Sequence, residues 1–325
     1  MPEAMQKGHN DDGSACEQIV AALTHNTNWL PLKEALQFGR GYVPWIMMDR
    51  KSEIAMIACQ EGEGARDPFR NHLSISFQAT LENVINPLIQ AGMIQDGSIP
   101  GCFDDRKVRW SDQSVKTVLL EDSNTLLLRV APTCYPHCQI DIHRKPSEAL
   151  QLMLAGIQAY QDPYAFFARG MGVVAIPLSR NGHAFIGQRT HTSEYKNFLS
   201  FISGWAEFSA NVGTIDFYRD VQRELKEELL LSSTIQREQL RFVGLASHPL
   251  TGEADLIFLA QTGFDDEFFD TGPWPEHAGW YAIRSRSEAQ HLLEEGRLNE
   301  RDEEFSLMFS SRAGLDFLIN SYWST

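Results

Sequence analysis

Residues 216–231 read Asp-Phe-Tyr-Arg-Asp-Val-Gln-Arg-Glu-Leu-Lys-Glu-Glu-Leu-Leu-Leu. Apolar Phe217, Val221, Leu225 and Leu229 recur at every fourth position, which is the period of a helix stripe and not the alternation of a strand. Asp216 is the expected N-cap, with Thr214 a second candidate, because a short polar side chain there accepts from the free N–H groups of the first turn. Glu224, Glu227 and Glu228 fall off the apolar stripe at spacings of three and four. On a helix that spacing gathers them on one face, with Cβ atoms about 5 to 6 Å apart. Three like charges so close repel one another unless a cation sits among them, and carboxylate oxygens are hard ligands suited to Mg²⁺ or Mn²⁺. Taken alone, the pattern also fits a solvated acidic helix face.

The wider context separates the two readings. Arg223, Glu224, Leu225, Glu227, Glu228 and Leu231 match the second half of the box of the Nudix hydrolases, which runs Arg-Glu-apolar-any-Glu-Glu-any-Gly-apolar, and Gly204 with Glu207 matches its beginning. Upstream, residues 172–178 and 184–189 flank Arg180-Asn181-Gly182. Two apolar runs around Asn-Gly form a hairpin signal in their own right, and the segment resembles the hairpin that precedes the box in that family. The match has departures. The loop between Gly204 and Arg223 is five residues longer than the family pattern, the box glutamate expected six places after the first glycine falls on Ala210, and the glycine expected after the helix is Leu230. Without that glycine an easy left-handed terminator is gone, so the helix is expected to run on or to stop at Ser232-Ser233.

The resemblance implies an α/β fold, a Nudix-type α/β/α sandwich, preceded here by an additional α+β N-terminal domain. It implies a pyrophosphohydrolase that cleaves the diphosphate bond of a small nucleoside diphosphate linked to another group, using Mg²⁺ or Mn²⁺. Glu224, Glu227, Glu228 and the backbone carbonyl of Ser203 or Gly204 are then the metal ligands, with Glu227 and Glu228 in the catalytic set. Arg223 is expected to pair with Glu207 and hold the loop, and Arg189 and Lys196 to meet the diphosphate. The general base is expected at Glu253, in the segment His248 to Asp255, with Asp265, Asp266 and Glu267 as alternatives. The stretched loop, with Ile215-Asp216-Phe217-Tyr218 opening the helix, resembles the UDP-sugar branch, so a UDP-sugar is the expected substrate. Residues 42–99 resemble the leader domain of relatives associated with thiamine diphosphate derivatives. That substrate class, ADP-ribose or NAD-type dinucleotides, and a non-catalytic nucleotide-binding module are the alternatives.

Composition bounds these readings. The 325 residues suit about two domains of the usual ~100 to 200 residues, and 43% hydrophobic with 22% charged residues is ordinary globular composition. A net charge of −15 argues against nucleic acid as partner, since phosphate backbones are met with Lys and Arg. No run approaches the ~20 apolar residues of a membrane span, and the opening stretch lacks the apolar core of a signal peptide. The five cysteines, an odd and scattered set, make no disulfide framework, and the expected location is the cytoplasm. Cys134 and Cys138, with His137 and His143 nearby, lack a second Cys pair and read as an incidental loop. The chain divides into a disordered residue range 1–15, an α+β domain over 16–165 and a catalytic domain over 166–325. In the first domain, residues 42–48 and 54–58 are expected to form a hairpin, 77–93 a helix, 115–130 two strands and 147–160 a helix. Such a domain shapes a homodimer contact or a substrate pocket.

Overall fold

The computed structural model describes residues 17–22, 45–47, 56–66, 82–83, 86–90, 106–112, 119–120, 125–190, 198–208, 215–272, 274–296 and 306–323. Lys196, residues 1–15 and the extra loop residues 209–214 lie outside these ranges. In chain order the strands are β1 (Trp45–Met47), β2 (Met56–Glu61), β3 (Arg106–Trp110), β4 (Leu119–Leu120), β5 (Thr125–Cys134), β6 (Met171–Leu178), β7 (Ala184–Arg189), β8 (Phe198–Ser200), β9 (Ile202–Trp205), β10 (Leu240–Ser247), β11 (Ala254–Gln261), β12 (His277–Ile283) and β13 (Ser306–Leu307). The helices are α1 (Asn86–Gln90), α2 (Tyr135–His143), α3 (Pro146–Tyr160), α4 (Phe217–Glu228), α5 (Asp266–Thr271), α6 (Arg286–Glu295) and α7 (Phe309–Phe317).

The central strand is β6. It pairs in parallel with β11 from Met171↔Ala254 to Leu178↔Gln261 and antiparallel with β9 from Gly172↔Trp205 to Ala175↔Ile202. Because successive side chains of a strand point to opposite faces, β6 and β11 feed two separate cores. Val173, Ala175, Leu256 and Phe258 pack with Phe217, Val221 and Leu225 of α4. Val174, Ile176, Ile257 and Leu259 pack with Ala289 and Leu292 of α6 and with Ala313, Leu315 and Phe317 of α7. Helix, sheet and helices thus form an α/β/α sandwich, and the near-continuous apolar runs of β6 and β11 reflect strands covered on both faces.

The smaller sheet contains β2, β5, β3 and β4. The two strands expected between residues 115 and 130 are β4 and β5, antiparallel with Leu119↔Leu127 and Leu120↔Leu126. Among the described residues, the hairpin expected between residues 42–48 and 54–58 is not formed. β1 pairs with β10, whereas β2 pairs in parallel with β5. An alternating apolar run fixes which face is buried, but it does not name the partner strand. β3 joins the two sheets: Val108 N–H donates to Ala206 O at 3.1 Å, and Trp110 N–H donates to Arg169 O at 2.9 Å. Val108, Trp110, Leu126, Leu128 and Val130 accordingly belong to the same core as α4.

The start of α4 is capped as its sequence predicts, with Asp216 accepting from Tyr218 N–H at 3.1 Å and Arg219 N–H at 3.3 Å. Its end corrects the expectation of a longer helix. The helix stops at Glu228, and Leu230 takes the left-handed conformation, φ 48°. Leu231 N–H donates to Lys226 O at 2.9 Å and Leu230 N–H to Glu227 O at 3.4 Å, the pair of bonds that defines a Schellman terminus. Leu231 packs against the core beyond it, so the motif closes without its glycine. A branched side chain in this backbone region is unfavourable by roughly 1 kcal/mol, and Leu230 is 57% exposed, so little burial offsets it. Leu230→Gly is expected to raise stability by about 1 kcal/mol, read as a higher urea midpoint at unchanged slope; a lower midpoint would show that Leu230 makes a stabilising contact.

Candidate active site

The site is built where α4 crosses β9. The apolar stripe of α4 is buried: Val221 and Leu225 are fully enclosed and Phe217 and Leu229 nearly so. Burial of such side chains contributes about 1.5 to 3 kcal/mol each, which fixes the roll of the helix and therefore the direction of the glutamates. Glu224 lies directly against β9, where a Cβ at Gly204 would collide with its carboxyl group. Only glycine at position 204 lets the carboxylate approach the strand backbone this closely.

The remaining box residues spread around that contact. Glu228 is buried, and its Oε1 accepts from Ser203 N–H at 3.0 Å. Glu227 is exposed. The Arg223 guanidinium reaches three of the nearby acids, with Nη1 2.7 Å from Glu224 Oε1 and 3.4 Å from Glu227 Oε2, and Nε 3.8 Å from Glu207 Oε1. Its nearest carboxylate is Glu224 and not the expected Glu207, and it also donates to Trp205 O at 3.2 Å. Arg223 therefore ties the helix to the loop that follows β9. Glu207 is held by a second route, its N–H donating to Asp220 Oδ2 at 3.4 Å.

Burial leaves the acids strained electrostatically. Loss of hydration pushes the Glu224 carboxyl up to about 7, opposed by Arg223 and reinforced by Glu227 and Glu276. Burial and then the Glu276 charge hold Glu228 well above the usual carboxylate range, and burial lifts Asp220 to about 6. These shifts mean that the cluster resists carrying its full negative charge.

Two residues of this cluster escaped the sequence reading. Glu276 and His277 sit at the start of β12, with His277 opposite Arg189 in the ladder. Glu276 is a fourth carboxylate acting on Glu224 and Glu228, and His277 Nδ1 is 3.4 Å from Glu228 Oε2. A Pro-rich stretch with no periodicity gives no local signal of this role. Arg189 is buried and not open to solvent; it donates to Ser203 Oγ at 3.2 Å and lies 3.7 Å from Glu276. Glu253 is buried at the end of the β10–β11 connection, where its carboxylate accepts from Thr251 Oγ1 at 3.1 Å. Since β6 is parallel to β11 and antiparallel to β9, that connection lies at the same sheet end as Trp205. Asp265 and Asp266 lie beyond the other end of β11, tied to Arg180 and His183 at 3.2 and 2.7 Å.

Among the described residues no three His, Cys, Asp or Glu side chains are already gathered in a cation-binding arrangement. The donor set nevertheless fits a hard divalent cation: Gly204 is cut away for a carboxylate, Glu228 Oε2 is buried without a hydrogen-bond partner, and the acids share one region. Cys134 and Cys138 are buried and outside any disulfide, at the end of β5 and within α2, and so in a strand and a helix and not in the expected loop. Among the described residues no helix is long and apolar enough to cross a membrane.

The acids gathered here are those of the segment that resembles the Nudix hydrolase box. Solved structures similar to this chain include the MutT protein from Methanosarcina mazei Go1, at 15% identity over 47% of this chain and 94% of that one, with a TM-score of 0.31. A bifunctional NMN adenylyltransferase/ADP ribose pyrophosphatase from Francisella tularensis aligns at 12% identity over 55% of this chain and 50% of its own length, TM-score 0.34. The NUDIX domain of Shewanella oneidensis NrtR, solved with ADP ribose, aligns at 13% identity over 39% of this chain and 80% of that one, TM-score 0.27. At these scores the likeness decides neither activity nor substrate. No family model matches the chain, and no curated protein matches it.

The buried acids of α4 make a pH signature of stability. Glu224 and Glu228 have folded values above their unfolded ones, so their contribution is complete below about pH 4 and is lost as pH rises through the folded values. His248, lowered to about 4, and His277, lowered to about 3, both by burial, act oppositely and reach full effect above about pH 6.5. Above that point the carboxylates act alone. The thermal midpoint of metal-free protein should therefore fall between about pH 6.5 and 8, and Glu224→Gln should flatten the fall. Calorimetry giving a constant or rising midpoint across that window would remove the buried acids as its cause.

Proposed function

We propose that this chain is a Nudix pyrophosphohydrolase that cleaves the diphosphate bond of a nucleoside diphosphate linked to another group, with Mg²⁺ or Mn²⁺ as cofactor. The observation that carries the reading is the Glu224 carboxylate seated on Gly204, beside Glu276, whose charge helps to raise its pKa, and Glu228, which burial holds well above the usual carboxylate range. Such an arrangement is costly for a protein that uses these groups only as surface charge. Glu224, Glu227, Glu228 and the Gly204 carbonyl would hold the metal. When bound, the cation neutralises charge on phosphate oxygens and makes an attacking water more acidic.

The chain's own residues supply the rest. Arg223, paired with Glu224 and bonded to Trp205 O, holds the loop of the box in register with its helix. Two carboxylates outside the helix compete as proton acceptor. Glu253, the expected base, is enclosed with Thr251 on it. Glu276 is half-exposed, with 46% of its side chain accessible, and acts on Glu224 and Glu228, which favours it. Arg189 serves as the internal counter-ion between Ser203 and Glu276, and Lys196 remains the proposed contact to the diphosphate.

The proposed substrate is a UDP-sugar, on the length of the loop between Gly204 and Arg223 and on the aromatic pair Phe217-Tyr218 that opens the helix. UDP-glucose with Mg²⁺ or Mn²⁺ should give UMP and glucose 1-phosphate in preference to the cleavage of ADP-ribose or NADH. Glu227→Gln is expected to lower kcat by at least about 100-fold while leaving the circular dichroism spectrum unchanged. Undiminished turnover in that variant, or in excess EDTA, would end the metal-dependent reading. Cleavage confined to thiamine diphosphate analogues would keep the chemistry and change the substrate.

A further inference from the structure

β12 carries an irregularity at its first residues. His277 stands opposite Arg189 and Gly279 opposite Gln188, so Ala278 is an extra residue, and bulges of this kind re-aim the neighbouring side chain. The imidazole of His277 is turned into the interior above Gly187, where a Cβ would collide with the ring. Trp280 closes the other side, with ring centroids 4.5 Å apart. The strand partner has given up a side chain, and the bulge has spent a residue, to seat one buried imidazole.

What that imidazole meets is polar on both nitrogens. Nδ1 lies 3.4 Å from Glu228 Oε2, and Nε2 lies 3.4 Å from Ser200 Oγ. Glu228 Oε1 is already held by Ser203 N–H. His277 Nδ1 and Glu228 Oε2 have no other hydrogen-bond partner, and both side chains are fully buried. Each polar atom left in that condition is destabilising, because the hydration it loses on burial is not replaced. The separation is a few tenths of an ångström beyond a normal hydrogen bond, so a small closure satisfies both atoms with one proton. The order Ser200, His277, Glu228 does not make Ser200 a nucleophile, because its hydroxyl is enclosed and no substrate can reach it.

We propose that His277 is a positioning residue for Glu228: anchored through Nε2 to Ser200, it holds Oε2 through Nδ1 while Ser203 N–H holds Oε1. The carboxylate is thereby kept in one orientation at the end of the box helix. The consequence for cation binding rests on the function proposed above, whereas the hydrogen bond itself does not. Partners of this kind, one step behind a ligating carboxylate, typically alter metal affinity by 10 to 100-fold when removed.

The test has two arms. In the first, metal-free protein labelled with ¹⁵N-histidine is examined by long-range ¹H–¹⁵N correlation, and the His277 signals are identified by their loss in His277→Asn. They should show a single tautomer and should shift in Glu228→Gln, with those of the other histidines unmoved; His277 signals indifferent to Glu228→Gln would overturn the proposal. In the second, Mn²⁺ is titrated by electron paramagnetic resonance. His277→Leu should weaken binding by about 10 to 100-fold, and His277→Asn, whose carboxamide can donate near the position of Nδ1, should recover most of the loss. A folded His277→Leu that binds Mn²⁺ like the wild type would equally overturn it. If His277→Leu does not fold, the first arm decides. If the wild-type protein binds no Mn²⁺, the cofactor reading falls while the imidazole signals still judge the Glu228 contact.

Discussion

The contact between the Glu224 carboxyl group and the bare backbone of Gly204 governs the arrangement of the site. It requires a strand residue without a side chain and a helix whose roll is set elsewhere, by Val221 and Leu225 in the core. It also requires a counter-charge, which Arg223 provides at 2.7 Å. Displacing the helix by one residue would rotate its side chains by about 100°, taking Glu224 off the strand and sending Leu225 toward it. The apolar stripe and the acidic face are therefore two expressions of a single constraint.

Neighbouring features follow from the same geometry. Because α4 packs so close to β9, Glu228 is carried past the strand into the interior and must find partners there. Ser203 N–H, His277 and the Arg189 charge are what the fold supplies. These partners come from β9, β7 and β12, the last far from the other two in the chain. The site thus depends on the sheet as a whole, and its acids are arranged by long-range packing although three of them lie within five consecutive residues.

The helix and its acids were legible in the chain because their information is local: a four-residue period, an aspartate cap and fixed spacings between glutamates. The α/β/α layering entered the reading only through the resemblance of the box; its physical basis, β6 and β11 apolar on both faces and covered twice, is seen in the packing. The partners of β1 and β2 were not legible, because the choice lies in contacts across more than a hundred residues for β1 and tens of residues for β2. Leu230 was misleading in the opposite sense. The missing glycine predicted a longer helix, yet Leu231, half-buried against the core, secures the same terminus. Glu276 and His277 left no trace, since nothing in their neighbours' identities says that a bulge will turn one of them inward.

The two hydrogen bonds from β3 to Ala206 and Arg169 also bear on how the chain comes to be folded. Residues 106–110 are made first on the ribosome, but their partner at 206 follows nearly a hundred residues later. Until then one edge of the smaller sheet stays open, and Val108 and Trp110 have no helix to cover them. Such distant pairings slow folding and leave intermediates exposed to aggregation. The first half of this chain is therefore a client that waits for its second half, and a nascent protein stalled before residue 206 would present a sticky, unfinished edge to the chaperones around it.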